Sequence, residues 1–266
     1  MQVNGSNKVT TIRNRDGSFT STPEETLQEL LDVLFPDKEN QPQTCNRLNS
    51  PEWRSENLDL ATIVNEAAIK AAINSFEPYK SPGCDGIYPA LLQKGIEILH
   101  PFLQTLYRKS LEERKLPNRW NEIKAVFIPK PGKQDYTNPK SYRPISLSSF
   151  LLKGLERLIH WHICQTNIIQ KPLHPNLYSY REGRSTENAL HNAVHILEKA
   201  MANNNFAIAV FLDINGAFSN TSIEGMIQNL QRRNLHPQIT LWIKHMLENR
   251  TVTATLHNKI VSKKVR

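Results

Sequence analysis

The feature that most constrains the fold is a run of apolar residues that ends on a carboxylate. Residues 206–213 read FAIAVFLD, and the glycine-containing sequence INGAFSN follows directly after Asp213. A short apolar run without polar alternation is typical of a strand that is buried on both faces. The run therefore predicts a buried strand that presents Asp213 at its end, next to a turn.

Helical periodicity accounts for most of the remaining chain. In a helix predicted over 59–76, Leu60, Val64, Ala67 and Ala71 recur on one face, which marks that face as buried. Two further helices have a clear apolar face: one over 89–113, with Leu91, Ile98, Leu99, Leu103 and Leu106, and one capped by Ser185 or Thr186, with Leu190, Val194, Leu197 and Met201. The remaining expected helices lie over 149–165 and near 222–233 and 237–248. Strands are expected over 124–128 and 251–256, and a basic tail follows the second of them.

The first part of the chain has a different composition. Residues 1–22 are polar and rich in Asn, Ser and Thr, which predicts a mobile lead-in. Pro23 then opens a short helix, PEETLQELLDVLF, whose first-turn glutamates complement the positive helix end. Residues 36–58 are rich in Pro, Asn and Ser and predict a linker.

Charge divides the chain into an acidic and a basic part. Residues 1–80 carry 8 Lys/Arg and 12 Asp/Glu, and residues 81–266 carry the other 25 Lys/Arg and 13 Asp/Glu, for a formal net charge of +8. A basic surface attracts phosphate polyanions by releasing their counterions, although many basic proteins bind no nucleic acid. Charge alone therefore leaves nucleic-acid binding open.

Other classes of protein are disfavoured by composition. No stretch approaches the roughly 20 apolar residues of a membrane span, so no membrane association is expected. Three scattered cysteines, Cys45, Cys84 and Cys164, argue against a disulfide framework or a cysteine zinc site and favour a reducing compartment. The compartment itself, cytoplasm or nucleus, is left open.

Asp213 and Phe218 are the sharpest candidates for chemistry. A carboxylate at the end of an apolar strand is costly to bury unless it is paired, and a hard cation such as Mg²⁺ is one natural partner. The alternative is that Asp213 only caps the following turn. Phe218 could place its ring over the same site, or it could be an ordinary core residue.

A basic loop between residues 130 and 143 is the second candidate. Lys130, as a point charge, and Arg143, as a planar fork, could hold different oxygens of a triphosphate. Lys133 and Lys140 could contact a nucleic-acid backbone. The alternative is a solvated basic loop without a ligand.

Two turn-rich sequences are further candidates. In KSPGCDGI, residues 80–87, the glycines would let a nucleic-acid strand approach the backbone, or they would only form a turn between helices. In YSYREGRSTENAL, Arg181 and Arg184 could contact phosphate while Tyr178 or Tyr180 stacks on a base. The alternative there is a polar loop before a capped helix.

The order of these motifs is more specific than any one of them. The series KSPGCDGI, AVFIPKPGK, SYRPISLSS, KGLERLI, YREGRSTENAL and AVFLDINGAF resembles the reverse transcriptases of non-LTR (LINE-type, jockey-like) retrotransposons over about residues 59–266. The resemblance implies an α+β fold, with mainly helical fingers and part of the palm of a right-hand polymerase. It divides the chain into a flexible connector with a short helix over 1–58, a fingers-like region over 59–205 and the first part of the palm over 206–266.

The resemblance also implies roles for the candidate residues. Asp213 matches the first catalytic aspartate, a ligand of two Mg²⁺ ions, and the backbone carbonyl of Ile214 matches a further metal ligand. Phe218 matches the side chain that excludes a ribose 2′-OH from the nucleotide site. In the same way Lys130 and Arg143 match residues that grip the incoming dNTP, and Arg181 and Arg184 fall in a template-side motif. The implied partners are an RNA template, a DNA primer and a dNTP.

Departures from the family pattern limit what is expected of this chain. The glycine-rich box and the Tyr-x-Asp-Asp box are absent, and one carboxylate cannot hold two metal ions. We therefore expect an inactive fragment of an RNA-directed DNA polymerase, with an unpaired strand edge at 206–213 and the C-terminal half of the polymerase as its missing partner. One alternative is a nucleic-acid-binding module without catalysis. A remote one is a haloacid-dehalogenase-like phosphatase with Asp213 as nucleophile, in which Asn215 replaces the second acid.

Overall fold

The computed structural model describes residues 11–36, 58–214 and 221–265. These residues form a mixed helix and sheet fold, as the sequence predicted. Its helices and strands are α1 Pro23–Leu34, α2 Leu60–Ile63, α3 Glu66–Asn74, α4 Pro89–Lys94, α5 Ile96–Glu113, β1 Glu122–Pro129, β2 Tyr142–Leu147, α6 Phe150–Ile163, α7 Thr186–Ala202, α8 Ile223–Arg232, α9 Pro237–Glu248, β3 Arg250–Leu256 and β4 Lys259–Val265.

A four-stranded sheet has the order β2-β1-β3-β4. The hairpins β1–β2 and β3–β4 are antiparallel, and they meet through a parallel pairing of β1 with β3 in which Lys124 lies opposite Thr253. Side chains alternate between the two faces of a strand. Ile123 and Ala125 therefore point to one face of the sheet, and Lys124 and Val126 point to the other.

Helix α1 covers the first of these faces. Leu27 and Leu31 pack on Ile123 and Ala125 in one buried cluster. The helix begins where its sequence predicts, because the Thr22 side chain accepts a hydrogen bond from the backbone of the first turn and Pro23 tolerates that position. On the opposite face, Val126, Ile128 and Ile145 are each more than a third exposed. We call this side of the sheet the open face.

The main core lies between the helices. It is built around α3, α5, α6 and α9, with Tyr107, Leu155 and Trp242 fully or almost fully buried. The polar atoms of these rings are paired: the Trp242 indole donates to Ser110 Oγ at 3.0 Å, and the Tyr107 hydroxyl donates to the Leu151 carbonyl at 2.8 Å. This pairing lets large aromatic side chains fill the interior without an unsatisfied donor.

Residues 11–22 are packed, in contrast to the mobile lead-in expected over 1–22. Ile12 is fully buried and its backbone N–H donates to Thr20 Oγ1 at 3.0 Å. Arg13 and Phe19 form an isolated β-bridge. The composition is polar, but one apolar side chain and a tight turn are enough to anchor this segment beside α1; residues 1–10 lie outside the described part.

Two long helices expected from periodicity are each broken once. The helix predicted over 59–76 stops at Ile63, and Asn65 caps a new helix by accepting from Ala68 N at 2.9 Å. The restart rotates the helix, so that Ile69 and Ile73 are buried in place of the predicted Ala67 and Ala71.

The helix predicted over 89–113 is interrupted at Gly95, which ends α4 and precedes α5. Of its expected stripe, Leu103 is buried, but Leu91 and Ile98 are 61% and 74% exposed. Tyr107 and Leu111 are buried instead, because the break changes which face of α5 meets the core.

The strands at 124–128 and 251–256 are confirmed, but β2 and β4 were not predicted as strands. Residues 142–147 contain Pro144 and lie on the β2 edge of the sheet, where a missing N–H is tolerated. The expected basic tail is β4, which extends β3 through a turn at His257 and Asn258, both with positive φ.

The strand predicted over 206–213 is wrong. Residues 205–214 have no regular secondary structure, and Phe206, Phe211 and Leu212 are more than nine-tenths exposed. A strand needs a neighbour that accepts its backbone hydrogen bonds, and within the described residues this segment has none. Helix α7, which precedes it, likewise has no buried side chain, so its expected core face is also uncovered.

Residues that follow position 206 pack against residues that precede it. Leu235, which lies between α8 and α9, and Ile239 and Trp242 of α9 belong to the main core, and β3 pairs with β1. Within the described residues, no helix is long and apolar enough to cross a bilayer.

Candidate nucleotide and nucleic-acid binding site

The β1–β2 hairpin places Lys130 and Arg143 on the same face. Ile128 lies opposite Arg143 in the register, and the Lys130 backbone N–H donates to the Ser141 carbonyl at 2.8 Å. Side chains two residues apart on a strand, and side chains directly opposite each other, share a face. Both cations therefore belong to the open face, at the end of the hairpin that connects β1 to β2.

The loop between Lys130 and Arg143 is held by its own polar groups. The Tyr136 hydroxyl donates to the Lys130 carbonyl at 2.8 Å, and Ser141 Oγ donates to the Asp135 carbonyl at 2.6 Å. Hydrogen bonds from the Thr137 hydroxyl and backbone lower the pKa of Asp135. These bonds give the loop a defined shape although its residues are mostly exposed.

The four basic side chains of the loop differ in what they contact. The Lys130 ammonium donates to the Lys140 carbonyl at 2.7 Å, which leaves two of its three donors. Lys133, Lys140 and Arg143 are exposed, and their side chains make no hydrogen bond or ion pair with the described part of the chain. The loop thus offers unpaired cations to an anionic ligand.

The KSPGCDGI turn packs against the protein itself. A Cβ on Gly83 would lie 2.8 Å from backbone atoms of Ser148 and Ser149, so glycine is required for close approach to the start of α6. Asp85 accepts from Ile87 N at 3.1 Å. Gly83 therefore supports the interpretation of this sequence as a turn, and it lets the turn lie beside the end of β2.

Arg181 and Arg184 lie in the loop before α7, and they are used differently. The Arg181 guanidinium donates to the carbonyls of His174 and Leu177, at 3.1 and 3.4 Å, so it holds its own loop together. Arg184 lies over the Tyr178 ring at 5.3 Å and is otherwise exposed. Of the two predicted cap residues, Ser185 caps α7, and it does so in a capping box with Asn188.

Asp213 is exposed, and no hydrogen bond or ion pair joins it to the described residues. Ile214, the predicted backbone ligand, is three-quarters exposed. Phe218 lies outside the described residues. The structure therefore brings Lys130, Lys140 and Arg143 together on one hairpin but does not join Asp213, Arg181 or Arg184 to them.

Mg²⁺ requires several oxygen ligands around one point. In the described residues no second carboxylate lies beside Asp213, so Asp213 and the Ile214 carbonyl alone do not fit an Mg²⁺ centre. A different group, Glu66, Glu97 and His100, has ligand atoms within 4.8 Å of one another. There the Lys70 ammonium already pairs with both carboxylates, which explains the cluster without a metal.

A comparison with protein families finds one whose model matches the second half of the chain. Residues 128–266 match the model described as reverse transcriptase (RNA-dependent DNA polymerase). The matched range begins within β1 and includes the basic loop, α6 to α9 and the remaining strands. The match favours a polymerase over a phosphatase.

Curated relatives agree with this match. The chain is 29% identical over 224 residues to the probable RNA-directed DNA polymerase from transposon BS of Drosophila melanogaster, which covers 84% of this chain and 24% of the relative. It is 28% identical to the RNA-directed DNA polymerase from mobile element jockey of the same species, covering 90% and 26%. To the Pol polyprotein from type-1 retrotransposable element R1 of Bradysia coprophila it is 24% identical, covering 86% and 22%.

The chain thus spans about a quarter of the length of the curated relatives it matches. With more than half of its residues matched by the family model, this chain belongs to the reverse transcriptase family, in the form carried by non-LTR retrotransposons.

Proposed function

We propose that this chain supplies the nucleotide-binding and strand-binding surface of an RNA-directed DNA polymerase. In this proposal residues 1–58 are the connector, 59–205 the fingers and 206–266 the first part of the palm. The observation that carries the proposal is the placement of Lys130 and Arg143 on one face of the β1–β2 hairpin. A point charge and a planar fork side by side suit the several oxygens of a triphosphate.

The partners follow from the same surface. The triphosphate of a dNTP would lie at the hairpin end, against Lys130 and Arg143. Lys133 and Lys140 are exposed beside it and would contact the backbone of the RNA template or DNA primer. Arg184, whose guanidinium makes no hydrogen bond within the described chain, is the better template-side candidate, since the Arg181 guanidinium is engaged by two carbonyls of its own loop.

Asp213, the Ile214 carbonyl and Phe218 keep their family roles in this proposal, as metal ligands and as the side chain that selects deoxynucleotides. A complete site would need further oxygen ligands beside Asp213 and the Ile214 carbonyl to hold Mg²⁺, whose charge would then offset that of the phosphates. The described residues offer one carboxylate towards such a site. Catalysis by this chain alone is therefore not part of the proposal.

The test is triphosphate binding by the full chain, measured by calorimetry with a dNTP. We expect Arg143→Ala to weaken binding about tenfold or more, since a bidentate charge-assisted contact is lost. Arg143→Lys should restore part of the affinity, because it returns the charge but not the fork. Lys109→Ala on α5 removes an exposed cation elsewhere and serves as the control. Equal affinity of Arg143→Ala and Lys109→Ala would reject the proposal.

A nucleic-acid-binding module without catalysis is the second candidate. The open face and its basic rim favour it, since binding there needs no complete metal site. A folded binder should lose RNA affinity steeply as salt rises. This candidate requires RNA binding with no role for Arg143 in triphosphate affinity, so the same variant separates the two.

A further inference from the structure

We infer that the end of the open face opposite the Lys130–Arg143 hairpin end is a binding site for the ribose-phosphate backbone of an RNA strand. A cavity of about 500 Å³ lies there, bordered by the starts of β1 and β3 and by β4. The length of β1 places it about 25 Å from Lys130. None of its residues belongs to the motifs that define the nucleotide site.

The floor of this cavity is a polar row across three strands. The register aligns Glu122 of β1 with Thr251 of β3, and Thr251 with Lys264 of β4. In the next row Thr253 lies opposite Ser262, and their hydroxyl oxygens are 2.9 Å apart. Glu122 and Lys264 are exposed, and neither forms an ion pair with the described residues.

The wall of the cavity adds amide groups. Asn118, Asn121 and Asn249 border it. The Asn249 side chain donates to the His245 carbonyl at 3.0 Å, which fixes its orientation. Asn121 Oδ1 is inaccessible to solvent and lacks a hydrogen-bond partner among the described residues. Because solvent cannot reach this oxygen, it is not among the groups that a ligand in the cavity would contact.

These groups select a ligand class by their chemistry. The Lys264 ammonium and the hydroxyls of Thr251 and Ser262 are donors that suit a phosphodiester. The Glu122 carboxylate is an acceptor, which a DNA backbone does not use but a ribose 2′-OH does, since the 2′-OH is a donor. Among the described residues no aromatic side chain lines the cavity, so base stacking is not part of the proposed contact.

The site deepens the proposed function and rests on it. Between the polar row and the hairpin end, the open face presents Val126, Ile128 and Ile145, an apolar middle that a strand can cross with its bases towards the protein. An RNA strand bound at both ends would then run along the whole open face. In the cavity, the sugar-phosphate backbone of this strand would contact Glu122, Thr251 and Lys264.

The experiment measures binding of fluorescent RNA and DNA of the same sequence to the full chain at several salt concentrations. Lys264→Met should weaken both and lower the slope of log affinity against log salt by about 1, as for one phosphate contact. Glu122→Ala should weaken RNA about fivefold, the size of one hydrogen bond, and leave DNA unchanged or tighter. Thr251→Val should weaken RNA in the same direction without changing charge.

Controls come from a Lys and Glu pair on α5. Lys109 and Glu113 are exposed and 3.7 Å apart, and neither lines the cavity, so Lys109→Met and Glu113→Ala match the charge changes. Thermal unfolding of each variant checks that it is folded. Binding of RNA with no difference between cavity variants and controls would overturn this inference and leave the proposed function standing.

Two further outcomes are decisive. If Glu122→Ala changed RNA and DNA affinity equally, the assignment to RNA would be overturned, because the carboxylate would not be reading the 2′-OH. If the wild-type chain bound no RNA even at low salt, the inference would fail, whereas the proposed nucleotide site would still be judged by triphosphate binding of Arg143→Ala.

Discussion

Helices α6 and α7 start from similar sequence signals and end in different surroundings. Each is capped by a serine, Ser149 or Ser185, that accepts a backbone hydrogen bond, and each has an apolar stripe. In α6 the stripe is buried, with Leu155 fully enclosed. In α7 no residue is buried, and Leu190 is 66% exposed.

The difference shows which part of folding is local. Caps and periodicity determine that a helix forms and where it starts, but burial depends on a partner from elsewhere in the chain. Helix α6 has α3 as such a partner, with Tyr107 of α5 donating to its backbone. Helix α7 and the apolar residues 206–214 have none within the described residues. Apolar sequence alone therefore does not locate the core.

The largest expected effect compares the same substitution in the two helices. Leu155→Ala should lower the free energy of unfolding by about 2–5 kcal/mol, since it opens a cavity in a closed core. Leu190→Ala should change it by less than about 0.5 kcal/mol, as for an exposed site. Urea unfolding followed by circular dichroism measures both. Equal losses would mean that α7 is packed as tightly as α6.

The fold was predictable from sequence to the extent that its signals are local. Pro23, Ser149 and Ser185 mark helix starts correctly, and the strand at 251–256 is read from alternation. The breaks at Asn65 and Gly95 were missed because the apolar pattern continues across both.

Non-local features could not be predicted. The parallel pairing of β1 with β3 joins residues more than 120 positions apart. Strand β4 shows no clear apolar alternation, because polar side chains lie on both of its faces: Lys263 pairs with Asp32 of α1, and Ser262 lies beside Thr253 on the open face. The sequence already shows Lys130 and Arg143 at the two ends of one loop. The row of Glu122, Thr251 and Lys264 depends on the register of three strands and has no sequence signature.

A smaller effect tests how the N-terminal helix is attached to the packed part. Two ion pairs join α1 to β4: Asp32 with Lys263 at 2.7 Å, and Glu24 with Lys259 at 2.7 Å. The Lys263 side chain is 11% exposed and that of Lys259 is 57% exposed. Burial acts to raise the pKa of Asp32, but hydrogen bonds from Lys263 and Gln28 hold it below its ordinary value.

Asp32→Asn should therefore cost about 1 kcal/mol of unfolding free energy near neutral pH, because a shielded charge-assisted bond is weakened. Its exposed counterpart Glu24→Gln should cost less than about 0.5 kcal/mol. The cost of Asp32→Asn should shrink as the pH falls through the pKa of Asp32, where the wild-type carboxylate also becomes neutral. A cost that is the same for both variants would show that shielding of the pair is unimportant.

The smallest expected effect compares the carboxyl group of Glu156, in the packed part, with that of Asp213, in the exposed segment. Glu156 lines a cavity of about 180 Å³ with Arg250. Burial raises the pKa of Glu156, although attraction to Arg250 and Lys153 opposes the rise. A raised folded-state pKa means that the contribution to stability is complete below the ordinary value of 4.5 and is lost as pH rises through the folded value.

Glu156→Gln should therefore remove this loss, so that the variant gains stability relative to wild type as pH rises from about 4 to 7, by less than about 1 kcal/mol, because Arg250 offsets part of the burial cost. Asp213→Asn is the matched control: its carboxyl is exposed, and its unfolding midpoint should follow wild type at each pH. Midpoints measured across that range decide the matter. A pH dependence altered by Asp213→Asn would mean that residues 206–214 have found a partner, and the contrast between the two regions would no longer hold.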